Sequence, residues 1–303
     1  MIMDAMTDSA TRPARLDVGV VGAGRVGAVL GAALARAGHR VVAASAVSLR
    51  SRTRAASLLP DADIRRPPDV FAVADLVLLA VPEPVLPELV DGLVRTGAVR
   101  PGQLVAHTCG RYGTAVLAPA VGAGALPMAL HPALSFTGTG VDVQRLGDAS
   151  FGVTAPDPVW PIAAALVVEM GGDPVRIAEE NRTIYDAAIT HGARHVVALL
   201  GDAIDLLRDA GVEHPERMLG PLLSAASDHV MRSGDDALAG PAADGDAAAV
   251  AEHLEAWSAQ HPEAVAEYRV LARRTAERAL ARGRLRAEQA ESLLDVLADG
   301  PRA

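Results

Sequence analysis

The 303-residue chain contains no lysine, so all 28 of its basic residues are arginine. Schiff-base chemistry and proton donation by a lysine ammonium are thereby excluded. Asparagine occurs once, at Asn181, and cysteine once, at Cys109, so no internal disulfide can form. No apolar run reaches the roughly 18 residues that span a bilayer, because Arg, Asp or Pro interrupts each candidate. Residues 1–16 lack the apolar segment of a signal peptide and read as a disordered tail. The formal net charge of −9 argues against a nucleic-acid partner, since no basic face could dominate such a surface. With 50% hydrophobic and 21% charged residues, the composition is that of a soluble globular protein. A cytoplasmic location is expected, with no membrane partner and no metal site.

The first half alternates short apolar runs with helical segments. Residues 16–24, 40–46, 74–82, 102–108, 125–132 and 151–156 are strand candidates, apolar in continuous rather than alternating fashion. Such runs belong to strands buried on both faces, as in a parallel sheet covered by helices. After residues 171–178 the pattern changes to Ala-, Leu-, Glu- and Arg-rich stretches with apolar spacings of three and four. The fold class expected is α/β: a Rossmann-like parallel-sheet domain over 17–175, then an all-α substrate and dimerisation domain over 176–300.

GVVGAGRVGAVLGAALARAGHRV (19–41) places Gly22, Gly24 and Gly27 in G-x-G-x-x-G spacing between a strand and a helix. Gly22 allows the tight turn, Gly24 lets the backbone approach a pyrophosphate, and Gly27 lets helix and strand pack closely. Arg25 and Val26 begin the helix whose amino end would face the anion. At the end of the second strand, where an NAD site usually carries an acidic residue, stands Ser45, followed by Ser48, Arg50 and Arg52. Guanidinium groups without a carboxylate suit a 2′-phosphate, so NADP(H) is the expected cofactor. AVPEP (80–84) ends a later strand in a turn that would border the nicotinamide ribose through Ala80, Val81 and Pro82. HTCGRYG (107–113) and LHPALSFTG (130–138) bring His107, Thr108 and His131 towards one crevice at the carboxyl ends of the strands. Cys109 lacks the spacing of a Cys–His nucleophile pair.

The glycine motif, HTCGRYG, LHPALSFTG, FGVT and ALAGPAADGD resemble the bacterial family that joins a Rossmann-like domain to a C-terminal domain of unknown function numbered 2520. The resemblance runs from about residue 17 to 285. Members are similar in architecture to 6-phosphogluconate dehydrogenase, pyrroline-5-carboxylate reductase and ketopantoate reductase. It implies a nicotinamide-dependent oxidoreductase whose helical domain closes the active site and builds a dimer, with a ketopantoate-like 2-oxo acid as one candidate substrate. The chain departs from the family at Asp186 (usually His), Arg194 (Asn), His229 (Asn), Cys109 (Ser) and around Asp244. Either the site is refitted for another substrate, or turnover is lost and an NADP-binding sensor or partner protein remains.

TIYDAAITHGARHVVAL (183–199) reads as one amphipathic helix. Thr183, Asp186, Thr190, Arg194 and Val197 share an arc, with His191 and His195 at its edge and Tyr185, Ile189, Gly192 and Val196 on the opposite, packed face. The resemblance implies that this helix faces the nicotinamide and supplies the proton donor, commonly Lys in relatives. Here His191 or Asp186 is expected to donate, with His107 and His131 as further candidates, and Arg194 to hold the carboxylate of a small anionic carbonyl or imine substrate. Val250, Leu254, Trp257, Val265, Tyr268, Leu271 and Leu293 point to a homodimer built by the helical half.

Overall fold

A computed structural model describes residues 15–259 and 261–298, so the tail of residues 1–16, save Arg15 and Leu16, lies outside the described residues. The chain divides into two compact units, residues 1–194 and 195–303.

In the first unit, eight strands form one sheet in the order β3-β2-β1-β4-β5-β6-β7-β8. The strands are β1 (Asp17–Val21), β2 (Arg40–Ser45), β3 (Asp63–Ile64), β4 (Leu76–Leu79), β5 (Leu104–His107), β6 (Leu126–Pro132), β7 (Ser150–Thr154) and β8 (Asp173–Arg176). All pairings are parallel except β6 with β7. The continuous apolar runs are indeed buried on both faces: β4 and β5 have no exposed residue. Two strands escaped the apolar reading, because β3 is two exposed residues and β8 is mostly exposed. The boundary expected near residue 175 falls inside β8.

Helices α1 (Arg25–Arg36), α2 (Leu49–Leu58), α3 (Pro67–Val73), α4 (Leu86–Arg95), α5 (Ala118–Gly122), α6 (Gly140–Arg145), α7 (Trp160–Glu169) and α8 (Arg182–Ile189) complete this unit. They cover the sheet with two apolar clusters. One holds Val18, Val20, Leu30, Leu34, Leu76, Leu78 and Phe151, the other Val21, Phe71, Val77, Leu79, Leu86 and Leu117. Alternate residues of β1 and β4 feed opposite clusters, as the period of two requires.

The segment expected as one helix over 183–199 is broken. After α8, residues Thr190–Arg194 form a π turn, and α-helix resumes at His195. A π turn carries one extra residue, so the arc drawn at a constant 100° per residue fails across it. Five more α-helices follow in the second unit after α9 (His195–Asp209): α10 (Pro215–Ser233), α11 (Pro241–Asp244), α12 (Ala247–Ser258), α13 (Pro262–Ala281) and α14 (Ala287–Leu297) bring it to six α-helices among the described residues. The core of this unit gathers Val250, Leu254, Ala272, Ala276, Ala279, Leu293 and Leu297. Val250, Leu254 and Leu293 are thus buried inside the unit and are not available to a dimer contact.

Candidate functional site

The glycine motif forms the turn its spacing predicts. Gly22 has φ +97, in the region only glycine adopts freely, and a Cβ there would lie 2.6 Å from the Ala80 carbonyl oxygen. The amides of Gly22 and Ala23 donate to the Ser45 carbonyl at 3.2 and 2.9 Å, tying the turn to the end of β2. A Cβ on Gly27 would collide with the Gly22 carbonyl and approach Ala80, so the helix can pack on the strands only as glycine permits. Gly24 caps α1 without a side-chain hydrogen bond, and the first turn holds no acidic residue. Open space above Gly24, where a Cβ would meet only Gly22 oxygen at 4.0 Å, leaves the first amides of α1 free for an anion. These residues fit a pyrophosphate.

A crevice of about 610 Å³ opens from this turn. Its lining includes Gly24, Arg25 and Val26, then Ala80, Val81, Pro82 and Glu83, and Thr108, Cys109, Gly110, His131 and Arg194. Ser45 is buried at the end of β2, while Ser48 caps α2 by accepting the Ser51 amide. Arg50 and Arg52 lie exposed on α2, with Arg52 Nε reaching the Ala46 carbonyl at 3.4 Å. Arg54, the next arginine of the run after Ser45, is tied to the Gly138 carbonyl beside Arg25.

The two histidines of the strand ends play different parts. His107 is fully buried and donates from Nε2 to the Gly113 carbonyl at 2.8 Å, while Nδ1 accepts the Cys109 amide at 3.2 Å. Both nitrogens are occupied by the loop they shape, so His107 does not line the crevice. His131 does line it, and its Nδ1 lies 2.8 Å from the Tyr185 hydroxyl. Burial pushes both histidines down to about 4, with the Arg182 guanidinium adding to the effect. Cys109 is buried and its thiol is pushed up to about 12, chiefly by desolvation and then by Glu83. It is not a nucleophile at neutral pH.

Tyr185 is the neighbour of His131 that helical periodicity misplaced. It sits edge-on to His131 with ring centroids 5.6 Å apart. It reaches that position over Gly152, which pairs with His131 across β6 and β7; a Cβ on Gly152 would stand 2.5 Å from the hydroxyl. Arg182, also unforeseen, is 1% exposed. It donates to Thr154 Oγ1 at 2.7 Å and to the carbonyls of Gly152, Ala129 and Gly110 at 3.0, 3.3 and 3.3 Å, binding α8 to β6, β7 and the loop after β5. Its guanidinium lies 5.6 Å from the Tyr185 ring. Tyr185 is one of three tyrosines in the chain, which was the available signal; Arg182, one of 28 arginines, offered none.

Asp186 packs against Gly110, where a Cβ would overlap its Oδ1, and that buried oxygen has no hydrogen-bond partner among the described residues. Glu83 stitches the two crevice loops together by accepting the Gly110 amide at 2.8 Å. Arg194 lines the crevice, with Nη1 3.3 Å from Thr190 Oγ1. His191 lies exposed in the π turn and is not among the crevice residues.

Residues 2–132 match the family model of a Rossmann-like domain, and residues 149–275 match that of a domain of unknown function, DUF2520. No curated protein matches the chain by sequence. Among solved structures, a candidate NADP oxidoreductase from Bacteroides fragilis is 21% identical, with a TM-score of 0.72 over 87% of this chain and 98% of its own. A Thermotoga maritima protein is 18% identical, with a TM-score of 0.65 over 88% and 99%. Pyrroline carboxylate reductase from Plasmodium falciparum, solved with NADP bound, is 15% identical, with a TM-score of 0.56 over 87% and 98%. At these identities the likeness is one of fold.

Proposed function

The chain belongs with the proteins that join a Rossmann-like domain to a DUF2520 domain, and from that premise we propose that it is an NADPH-dependent oxidoreductase acting on a small anionic carbonyl or imine compound. The observation that carries this reading is the crevice in which the glycine turn, His131 and Arg194 share one wall system. The solved relatives that name an NADP oxidoreductase and an NADP-bound reductase support it.

Gly22, Gly24 and Gly27 would hold the pyrophosphate at the amino end of α1, and Val81, Pro82 and Thr108 would border the nicotinamide ribose. The bound cofactor supplies the hydride. The chain supplies orientation and the proton. His131 is neutral at pH 7, and when the Tyr185 hydroxyl donates to its Nδ1 the remaining proton is fixed on Nε2. From there it can be donated to the oxygen or nitrogen that receives charge as hydride arrives, with Tyr185 replacing it through Nδ1. Burial raises the Tyr185 phenol, while Arg182 and a backbone hydrogen bond from Gly152 act in the opposite sense and ease transient proton loss. Arg194 would pair with a substrate carboxylate.

The test is consumption of NADPH at 340 nm with a panel of 2-oxo acids and cyclic imines. Turnover with an anionic member, abolished or cut at least about tenfold by Tyr185→Phe, supports the reading. NADPH binding without turnover on any member would leave the protein a cofactor-binding sensor or partner.

A further inference from the structure

The second unit contains a pocket that the oxidoreductase reading does not use. It has a volume of about 450 Å³ and lies among α9, α11, α12 and α13. Residues 195–303 contain two aromatic residues of the Phe, Trp and Tyr class, Trp257 and Tyr268, and both line it, joined by His253. His253 and Trp257, one helical turn apart on α12, have ring planes 19° from parallel with centroids 6.4 Å apart. Tyr268 on α13 stands nearly perpendicular to both, at 5.3 Å from Trp257 and 5.8 Å from His253, and its hydroxyl lies 2.9 Å from His253 Nδ1. The three rings thus pack on one another as a single aromatic cluster in the pocket wall.

The charges of the lining are selected in one direction. The same 195–303 stretch carries eleven arginines, yet none lines the pocket; the ionised lining residues are Asp202 and Glu267. Neither carboxylate is paired with an arginine among the described residues. Apart from Thr275, the rest of the lining, including Leu206 and Leu271, is apolar. Aromatic faces and unpaired carboxylates around an apolar floor recognise one chemical class, a positive nitrogen on a hydrocarbon body, through ring quadrupoles and Coulomb attraction together.

We propose that this pocket is a binding site for a small organic cation, an alkyl ammonium held by Trp257, Tyr268 and His253 with Asp202 and Glu267 as counter-charges. It is separate from the nicotinamide crevice in its residues and does not depend on the chain being an oxidoreductase. Titration calorimetry on the full-length protein with n-hexylammonium, 1-hexanol and hexanoate tests it. Hexylammonium is expected to bind saturably with one site per chain, hexanol at least about tenfold more weakly, and hexanoate not measurably. Trp257→Leu and Glu267→Gln should each weaken hexylammonium binding at least about fivefold, while NADPH binding is unchanged. Glu267 is exposed, so Glu267→Gln remains informative even if Trp257→Leu fails to fold. Absence of saturable hexylammonium binding, equal affinity for hexanol, or affinity unchanged by Glu267→Gln would overturn the proposal.

Discussion

His107 and His131 share a depressed proton affinity but use it differently. In His107 both ring nitrogens are committed, and a second proton would set Nδ1–H against the Cys109 amide that it now accepts. An ordinary unfolded histidine takes its proton near 6.5, whereas the folded ring does so at about 4. The unfolded chain therefore binds more protons between those values. The stabilisation is complete above about 6.5 and is lost as pH falls towards 4, amounting to at most about 3 kcal/mol per histidine. Melting temperature should fall across that window, and His107→Gln should flatten the fall; an unchanged pH profile in the variant would show that His107 is not its source. Cys109 gives a companion expectation. With its thiol pushed up to about 12, it should resist alkylation by iodoacetamide at pH 8 in the folded protein and react on unfolding. Tyr185→Phe tests the relay. It should lower kcat by roughly 10- to 100-fold with little change in KM, because the hydroxyl touches His131 rather than the substrate. His131 was legible in the sequence as a polar residue at a strand end. Tyr185 was not, because an ideal helical wheel put it opposite Asp186, and its access to His131 depends on a glycine 33 positions earlier, Gly152, which periodicity cannot connect to it.

At the level of elements, strands that carry an apolar run on both faces were readable, and those that do not were missed. β1, β4 and β6 are buried almost throughout, so hydrophobicity alone marked them, whereas the pairing of β8 with β7 at the sheet edge leaves three of its four residues exposed. The glycine turn was readable because each glycine has a separate steric duty. The π turn was not, since no local residue announces an extra amide in a helical ladder. It matters for Arg194, which ends that turn and reaches the crevice from it. Arg194→Ala should raise KM for an anionic substrate by an order of magnitude or more with a smaller change in kcat, as a lost charge-assisted anchor of about 1.5–3 kcal/mol requires. A comparable fall in kcat with KM unchanged would assign Arg194 to the reacting centre instead. The turn from β2 into α2 gives the cofactor test. Arg50 is exposed there, and Ser45 stands where an acidic residue would repel a phosphate. NADPH should bind more tightly than NADH, and Arg50→Ala with Arg52→Ala should erase the preference; equal affinities in the unmodified protein would sink the assignment.

For the molecule as a whole, the second unit is incomplete as an isolated body. α9 and α10 run 15 and 19 residues, yet Pro215 is their one buried residue. Helices of that length owe most of their stability to packing of an apolar face, and these two leave Val197, Met218, Leu222 and Met231 at 51–84% exposure. No described helix is long and apolar enough to cross a membrane. Of the residues first expected at a dimer contact, Val250, Leu254 and Leu293 fill the unit's own core, while Leu271 is exposed. A second copy of the chain meeting α9 and α10 would cover the exposed side chains with one self-complementary surface. We expect a homodimer of twice 31.2 kDa by light scattering at micromolar concentration. Leu222→Glu with Met231→Glu should give monomers, because each places a charge on the apolar patch, while the glycine crevice, whose residues lie in 24–194, keeps its affinity for NADPH. A monomer in the unmodified protein, or a dimer indifferent to both charges, would remove α9 and α10 as the contact.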